Sequence, residues 1–113
     1  MASVTIWHNP NCGTSRNALT LLKEKGHAVT VVEYLKSPPS AATLAGVAAA
    51  VGGARALLRT RGTTAEERGL PDADDATIIS AMLADPILIN RPVVIGPRAT
   101  VLARPAERAL EAA

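Results

Sequence analysis

Two β-branched runs near the start of the chain leave few ways to fold it. "SVTIW" (3–7) and "VTVVEY" (29–34) each read as a strand, and about 20 residues separate them. Hairpin loops are far shorter, so the two strands are expected to lie parallel, joined by a crossover helix. The intervening residues suit that connection. "NPNCG" is a loop by its Pro, Asn and Gly content. A helix then begins at Thr14, which Thr14 or Ser15 can cap. Ala18, Leu19 and Leu22 share one face, Lys23 and Lys25 favour the C-terminal end, and Gly26 stops it.

The remainder alternates helix and turn before returning to strands. "KSPPS" (36–40) is a turn, and Ser40 caps a helix through "AATLAGVAAAV", which Gly52 and Gly53 end. "ARALLRT" (54–60) suits a short helix, and "TTAEERGL" (63–70) carries a capping-box spacing from Thr64 to Glu67. Asp74 or Asp75 can start a helix over "ATIISAMLA", which Asp85-Pro86 stops. "VVI" (93–95) and "TVLA" (100–103) then form a hairpin around "GPR", and a short helix follows Pro105. No internal repeat or linker interrupts the chain, so one domain over residues 1–113 is expected.

The order β-α-β, a helical insertion, then β-β-α is that of an α/β thioredoxin-like domain with a mixed central sheet. In that fold a reactive thiol lies at the start of the first helix, where Cys12 stands. The proline before the third strand is usually cis there, which points to Pro92, preceded by Arg91.

Composition narrows the class. Hydrophobic residues make up 48% of the chain and charged ones 19%, which suits a folded domain. There is no Phe, one Trp and one Tyr, so the core must be built from Leu, Val, Ile and Ala. A net charge of +2 gives no argument for nucleic acid. No segment is apolar over the length a membrane span needs, and no basic-plus-apolar leader precedes Ser3. A single cysteine cannot form an intramolecular disulfide, so the expected location is the cytoplasm.

Cys12 is the residue most suited to chemistry. A helix N-terminus offers partial positive charge and unpaired N–H groups, which favour a thiolate and an incoming anion. Arg16, about one turn along, adds charge, and His8 can stabilise the thiolate or accept its proton. Asn9 and Asn11 shape the loop, and Ser15 suits a helix cap better than a donor to the sulfur. A Cys-x-x-Cys redox pair is excluded, because Ser15 holds the fourth position. A phosphatase-type loop would need Arg where Ala18 stands. One cysteine with His8 and His27 makes no credible metal site. What remains is a lone thiol regenerated by a thiol from another molecule, such as glutathione or a glutaredoxin.

"HNPNCGTSRNAL" strongly resembles the active-site segment of the glutathione- and glutaredoxin-coupled bacterial arsenate reductases, an ArsC-like family. "YLKSPP" (34–39), "RALLRT" (55–60) with "EERGL" (66–70), and "PILINRPVVIGPRATVLARP" (86–105) match in the same order. Asp85 stands where the family often has His, and the chain stops at Ala113 where members often continue with a charged tail. The resemblance implies that Cys12 attacks arsenate to form a thiol–arsenate adduct. Glutathione, a co-substrate rather than a bound cofactor, would reduce the adduct and release arsenite. Glutaredoxin would then resolve the Cys12–glutathione disulfide. By motif match Arg59, Arg91 and Arg104 would hold the oxyanion. Arg16, Gly13 and Thr14 join them at the helix start, and His8 and Ser15 join Cys12 as catalytic candidates. The expected protein is a monomer without metal, nucleic-acid or membrane partners.

Two other readings fit the residues. One is a thiol reductase for another substrate on the same fold, which the matched arginines argue against. The other is a non-enzymatic regulator that binds RNA polymerase, many of which sense redox state with the Cys-x-x-Cys pair that Ser15 removes here. Without the resemblance, each arginine taken singly reads as a solvated surface charge.

Overall fold

β1 spans Ser3–Trp7 and β2 spans Ala28–Val32, and the two pair in parallel from Ser3↔Ala28 to Trp7↔Val32. The computed structural model describes all residues 1–113. α1, Gly13–Glu24, makes the expected crossover. β2 ends two residues before the expected Tyr34, because the Lys36 and Ser37 N–H groups both close a turn on the Glu33 carbonyl.

The returning hairpin falls where the sequence puts it. β3, Val93–Ile95, runs antiparallel to β1, and β4, Thr100–Leu102, runs antiparallel to β3. The Gly96 N–H donates to the Ala99 carbonyl and closes the turn. The sheet order is therefore β2-β1-β3-β4, the mixed sheet of a thioredoxin-like fold. The Arg91–Pro92 bond is cis as expected, and so is Arg104–Pro105, which the sequence reading did not anticipate.

These elements make one compact unit, Met1–Ser37 with Arg91–Ala113. Its core sets Val4 and Ile6 of β1, Val94 of β3 and Val101 of β4 against Ala18 and Leu22 of α1. Ala106 and Ala109 of the C-terminal 3-10 helix, Ala106–Glu111, complete it together with Ala112, which follows that helix. With no Phe available, alanines on both helical segments let the backbones approach the sheet closely and keep the interior filled. Burying Leu22 alone contributes about 2 kcal/mol.

The second compact unit, Pro38–Asn90, is helical. α2 is Ala41–Ala50, α3 is Ala54–Leu57 and α4 is Asp75–Ala84. Ser40 accepts the Thr43 N–H and Asp74 accepts the Thr77 N–H, so both expected caps form. The capping box does not produce a helix. Gly62 and Gly69 both take positive φ and reverse the chain on either side, and between them a single turn closes from the Arg68 N–H to the Thr64 carbonyl. Within it the Thr63 hydroxyl, not that of Thr64, accepts the Ala65 N–H. No helix in the chain is long and apolar enough to cross a membrane.

Candidate active site

The C-terminal end of β1, the start of β3 and the end of β4 meet at one edge of the sheet, because Trp7 pairs with Val93 and Val93 with Leu102. The loop into α1 leaves β1 there, Arg91 precedes β3 there, and Arg104 follows β4 there. Sheet register thus delivers a cysteine and two arginines to one place from distant parts of the sequence.

The loop is held by its own polar groups. The His8 N–H donates to the Val32 carbonyl of β2, which fixes the exit of the chain from the sheet. Asn9 is buried, its Oδ1 accepts the Asn11 N–H, and its carbonyl accepts the Cys12 N–H. This Asx turn gives Asn9 the loop-shaping role expected of it. Arg16 reaches back to donate to the Pro10 carbonyl at 2.8 Å. Its guanidinium straps the loop beside Gly13.

Neither Thr14 nor Ser15 caps α1. Cys12 itself is the N-cap, with extended φ and ψ, and α1 begins at Gly13. Ser15 lies inside the first turn and is fully buried. Its Oγ lies 2.6 Å from His8 Nδ1, in a hydrogen bond, and accepts the Asn9 N–H at 3.1 Å. The hydroxyl therefore ties the first turn of the helix to the end of β1 instead of capping or serving the sulfur. A serine in a first turn gives the same sequence signal whether it caps or ties, which is why composition misread it.

Cys12 is 8% exposed and makes no capping hydrogen bond through its sulfur. Burial pushes its thiol up, but the opposing groups win and hold it below the ordinary thiol value. They are the Ser15 N–H, the Arg91 guanidinium, the Arg104 side chain and the Thr14 N–H, in that order. Arg104 Nη1 lies 3.9 Å from Sγ and also donates to the Arg91 carbonyl at 3.0 Å. The backbone before Pro92 therefore aims Arg104 at the thiol. His8 is buried as well. Desolvation keeps its imidazole below the ordinary value, opposed by Glu33 and reinforced by Arg16 and Lys23. Its Nδ1 is engaged by Ser15, so its link to Cys12 runs through that residue.

Arg59 belongs to the helical unit. Its N–H donates to the Leu88 carbonyl, its Nε to the Arg61 carbonyl at 3.1 Å, and its own carbonyl accepts the Thr63 hydroxyl. No group of three or more His, Cys, Asp or Glu side chains converges as metal ligands would. The arrangement in the sheet unit is a thiol held below its ordinary value at a helix N-terminus with guanidinium charge beside it, a setting suited to attack on an electrophilic oxyanion.

A model of the ArsC family matches residues 7–112. The chain belongs to the ArsC family. Among ArsC relatives, the arsenate reductase of Rhizobium meliloti (strain 1021) is 50% identical over 112 residues, spanning 96% of this chain and 80% of that protein. The arsenate reductase of Escherichia coli (strain K12) is 45% identical over 114 residues, spanning 98% and 81%. Of solved structures, an arsenate reductase from Vibrio cholerae superposes with a TM-score of 0.91 at 35% identity, over 99% of this chain and 98% of that one. The ArsC fold is thus shared along nearly the whole chain.

Proposed function

We propose that this protein reduces arsenate to arsenite through Cys12, with glutathione as electron donor and glutaredoxin as the resolving partner. The observation that carries the reading is the thiol itself. It is held below its ordinary value at a helix N-terminus, with Arg104 Nη1 3.9 Å away and Arg91 beside it. Relatives that share about half of its residues are named for arsenate reduction.

The chemistry follows from these groups. The Cys12 thiolate attacks As(V), an As–S bond forms, and one arsenate oxygen leaves as water after protonation. Guanidinium forks from Arg91 and Arg104 offset the charge on the remaining oxygens. Arg59 is assigned to the same task by its place in "RALLR". The N–H groups of Gly13 and Thr14 extend the anion cradle, and Arg16 keeps the loop in shape. Glutathione thiolate then attacks the Cys12 sulfur. An S–S bond forms, the S–As bond breaks, and its electron pair stays on arsenic, which leaves as arsenite. A glutaredoxin thiolate takes over the glutathione sulfur and releases Cys12. His8, neutral by burial, and Ser15 hold the first turn so that the Ser15 N–H faces the sulfur. We place the reaction in the cytoplasm, where glutathione is abundant and reduced.

Arsenate-dependent NADPH oxidation, coupled through glutathione, glutaredoxin and glutathione reductase, tests the reading. Turnover is expected from the wild type and none from Cys12→Ser. A folded wild type that stays silent while the glutaredoxin acts on a control substrate overturns it.

A further inference from the structure

β2 is an edge strand, and its outer edge is open. It is last in the sheet order β2-β1-β3-β4, and Ala28, Thr30 and Val31 are all exposed. Val31 is 41% exposed, one of only three large apolar side chains so exposed in the chain. The strand "AVTVV" carries no Lys, no Pro and no charge, the usual devices that keep such an edge from pairing.

The direction of its free backbone groups can be worked out. The Ala28 N–H donates to the Ala2 carbonyl and the Val32 carbonyl accepts the His8 N–H, so both residues face β1. Alternation in a parallel ladder gives Thr30 the same direction and turns the N–H and C=O groups of Val29 and Val31 outward. Two copies of this edge fit each other in one antiparallel register, centred on Thr30. There Val29 of one copy lies opposite Val31 of the other, and each pair exchanges two backbone hydrogen bonds. Thr30 lies opposite Thr30 in the closer, non-hydrogen-bonded position, a favourable cross-strand pairing.

The flanks agree with the same register. His27 of one copy lies opposite Glu33 of the other, twice, by symmetry. His27 Nδ1 accepts the Ala2 N–H at 3.0 Å, which leaves Nε2 to donate to the facing Glu33 carboxylate, whose Oε1 also lies 3.6 Å from Lys36 Nζ of its own chain. Val29 and Val31 pair with Val4 and Ile6 of β1, whose side chains line the α1-side core, and Val29 packs on that core. Extending the sheet by a second β2 continues this apolar face and covers Val31. The two-fold operation closes the assembly at two copies.

We propose that β2 pairs with β2 of a second copy of this chain, antiparallel and centred on Thr30, forming a concentration-dependent dimer in place of the monomer expected from sequence. Five residues per edge make a small interface, so the dimer is of the weak, reversible kind.

Sedimentation velocity across a concentration series up to about 1 mM tests association, starting from the monomer mass of 11.7 kDa. The wild type is expected to move toward twice that mass. Val31→Lys changes an exposed side chain and leaves the β1 ladder intact, and it is expected to stay monomeric at every concentration. Leu35→Lys, an exposed apolar residue outside the ladder, is expected to dimerise like the wild type. The register has its own readout in a Cys12→Ser background. Thr30→Cys is expected to cross-link to itself under mild oxidation, since facing positions suit disulfide geometry. Ala28→Cys is not, because the register sets those two positions about 14 Å apart. A wild type that remains at the monomer mass overturns the proposal and leaves the edge for a strand from a different protein. Equal dimerisation of Val31→Lys, or cross-linking at position 28 instead of 30, overturns the register.

Discussion

Arg104 touches two things at once, the Cys12 sulfur and the Arg91 carbonyl, and its removal should be felt in two ways. In Arg104→Ala the pH midpoint of Cys12 alkylation by iodoacetamide is expected to move up, toward the ordinary thiol value, because one of the groups opposing burial is gone. Arsenate turnover should fall about a hundredfold, the scale for losing one fixed donor to a developing oxyanion. Ser15→Ala is expected to behave differently. Its hydroxyl serves the Asn9 N–H and His8, so urea unfolding should show a loss of about 1–3 kcal/mol from buried groups left without a partner. Its backbone N–H survives the substitution, so the Cys12 midpoint should stay below the ordinary value. The place of Cys12 at a helix start was legible from residue type and spacing, whereas Arg91 and Arg104, which the fold sets beside it, were singled out only by the resemblance, since each alone reads as a surface charge. The task of Ser15 was not legible, since only the fold reveals that the end of β1 lies beside its hydroxyl.

At the scale of elements, the sequence spoke clearly wherever local chemistry decides the outcome. Ser40 and Asp74 each stand three residues before a free N–H that their side chains can reach, and both helices start there. The turn at Gly96 and both strands of the hairpin were equally legible. The segment from 63 to 70 was not, because a capping-box spacing cannot overcome chain reversals at Gly62 and Gly69. Asp74 also gives a test with a sign. Hydrogen bonds from the Thr77 side chain and N–H hold its carboxyl below the ordinary value. The stability it contributes is therefore present above the ordinary carboxylate pKa and lost as pH falls through the lowered one. Asp74→Asn keeps a capping oxygen without the charge. Its melting temperature should lie below the wild type at neutral pH, and the gap should close in acid.

For the molecule as a whole, the sheet unit is assembled from the first third of the chain and the last fifth, with the helical unit made from the residues between. Its closure shows at Gly96. A Cβ there would sit on the carbonyl of Ala112 and press on Val4, while the Arg98 N–H holds that same carbonyl at 3.0 Å. Gly96→Ala is expected to lower the free energy of unfolding, read from a urea titration, by about 1–3 kcal/mol, the cost of overpacking against backbone that cannot yield. The β-α-β start and the hairpin announced this architecture from sequence. Its close packing of small residues did not announce itself, because alanine in a helix looks the same whether it faces water or a sheet.

The bond between Arg104 and Cys12 joins residues 92 positions apart. On a ribosome the cysteine is made early and its arginine partner late. Until the final strand has emerged and docked, the sulfur lacks Arg91 and Arg104, two of the groups that oppose its burial. A nascent chain thus carries its cysteine through most of synthesis without that guanidinium charge, which reaches the sulfur only once β3 and β4 have docked on β1.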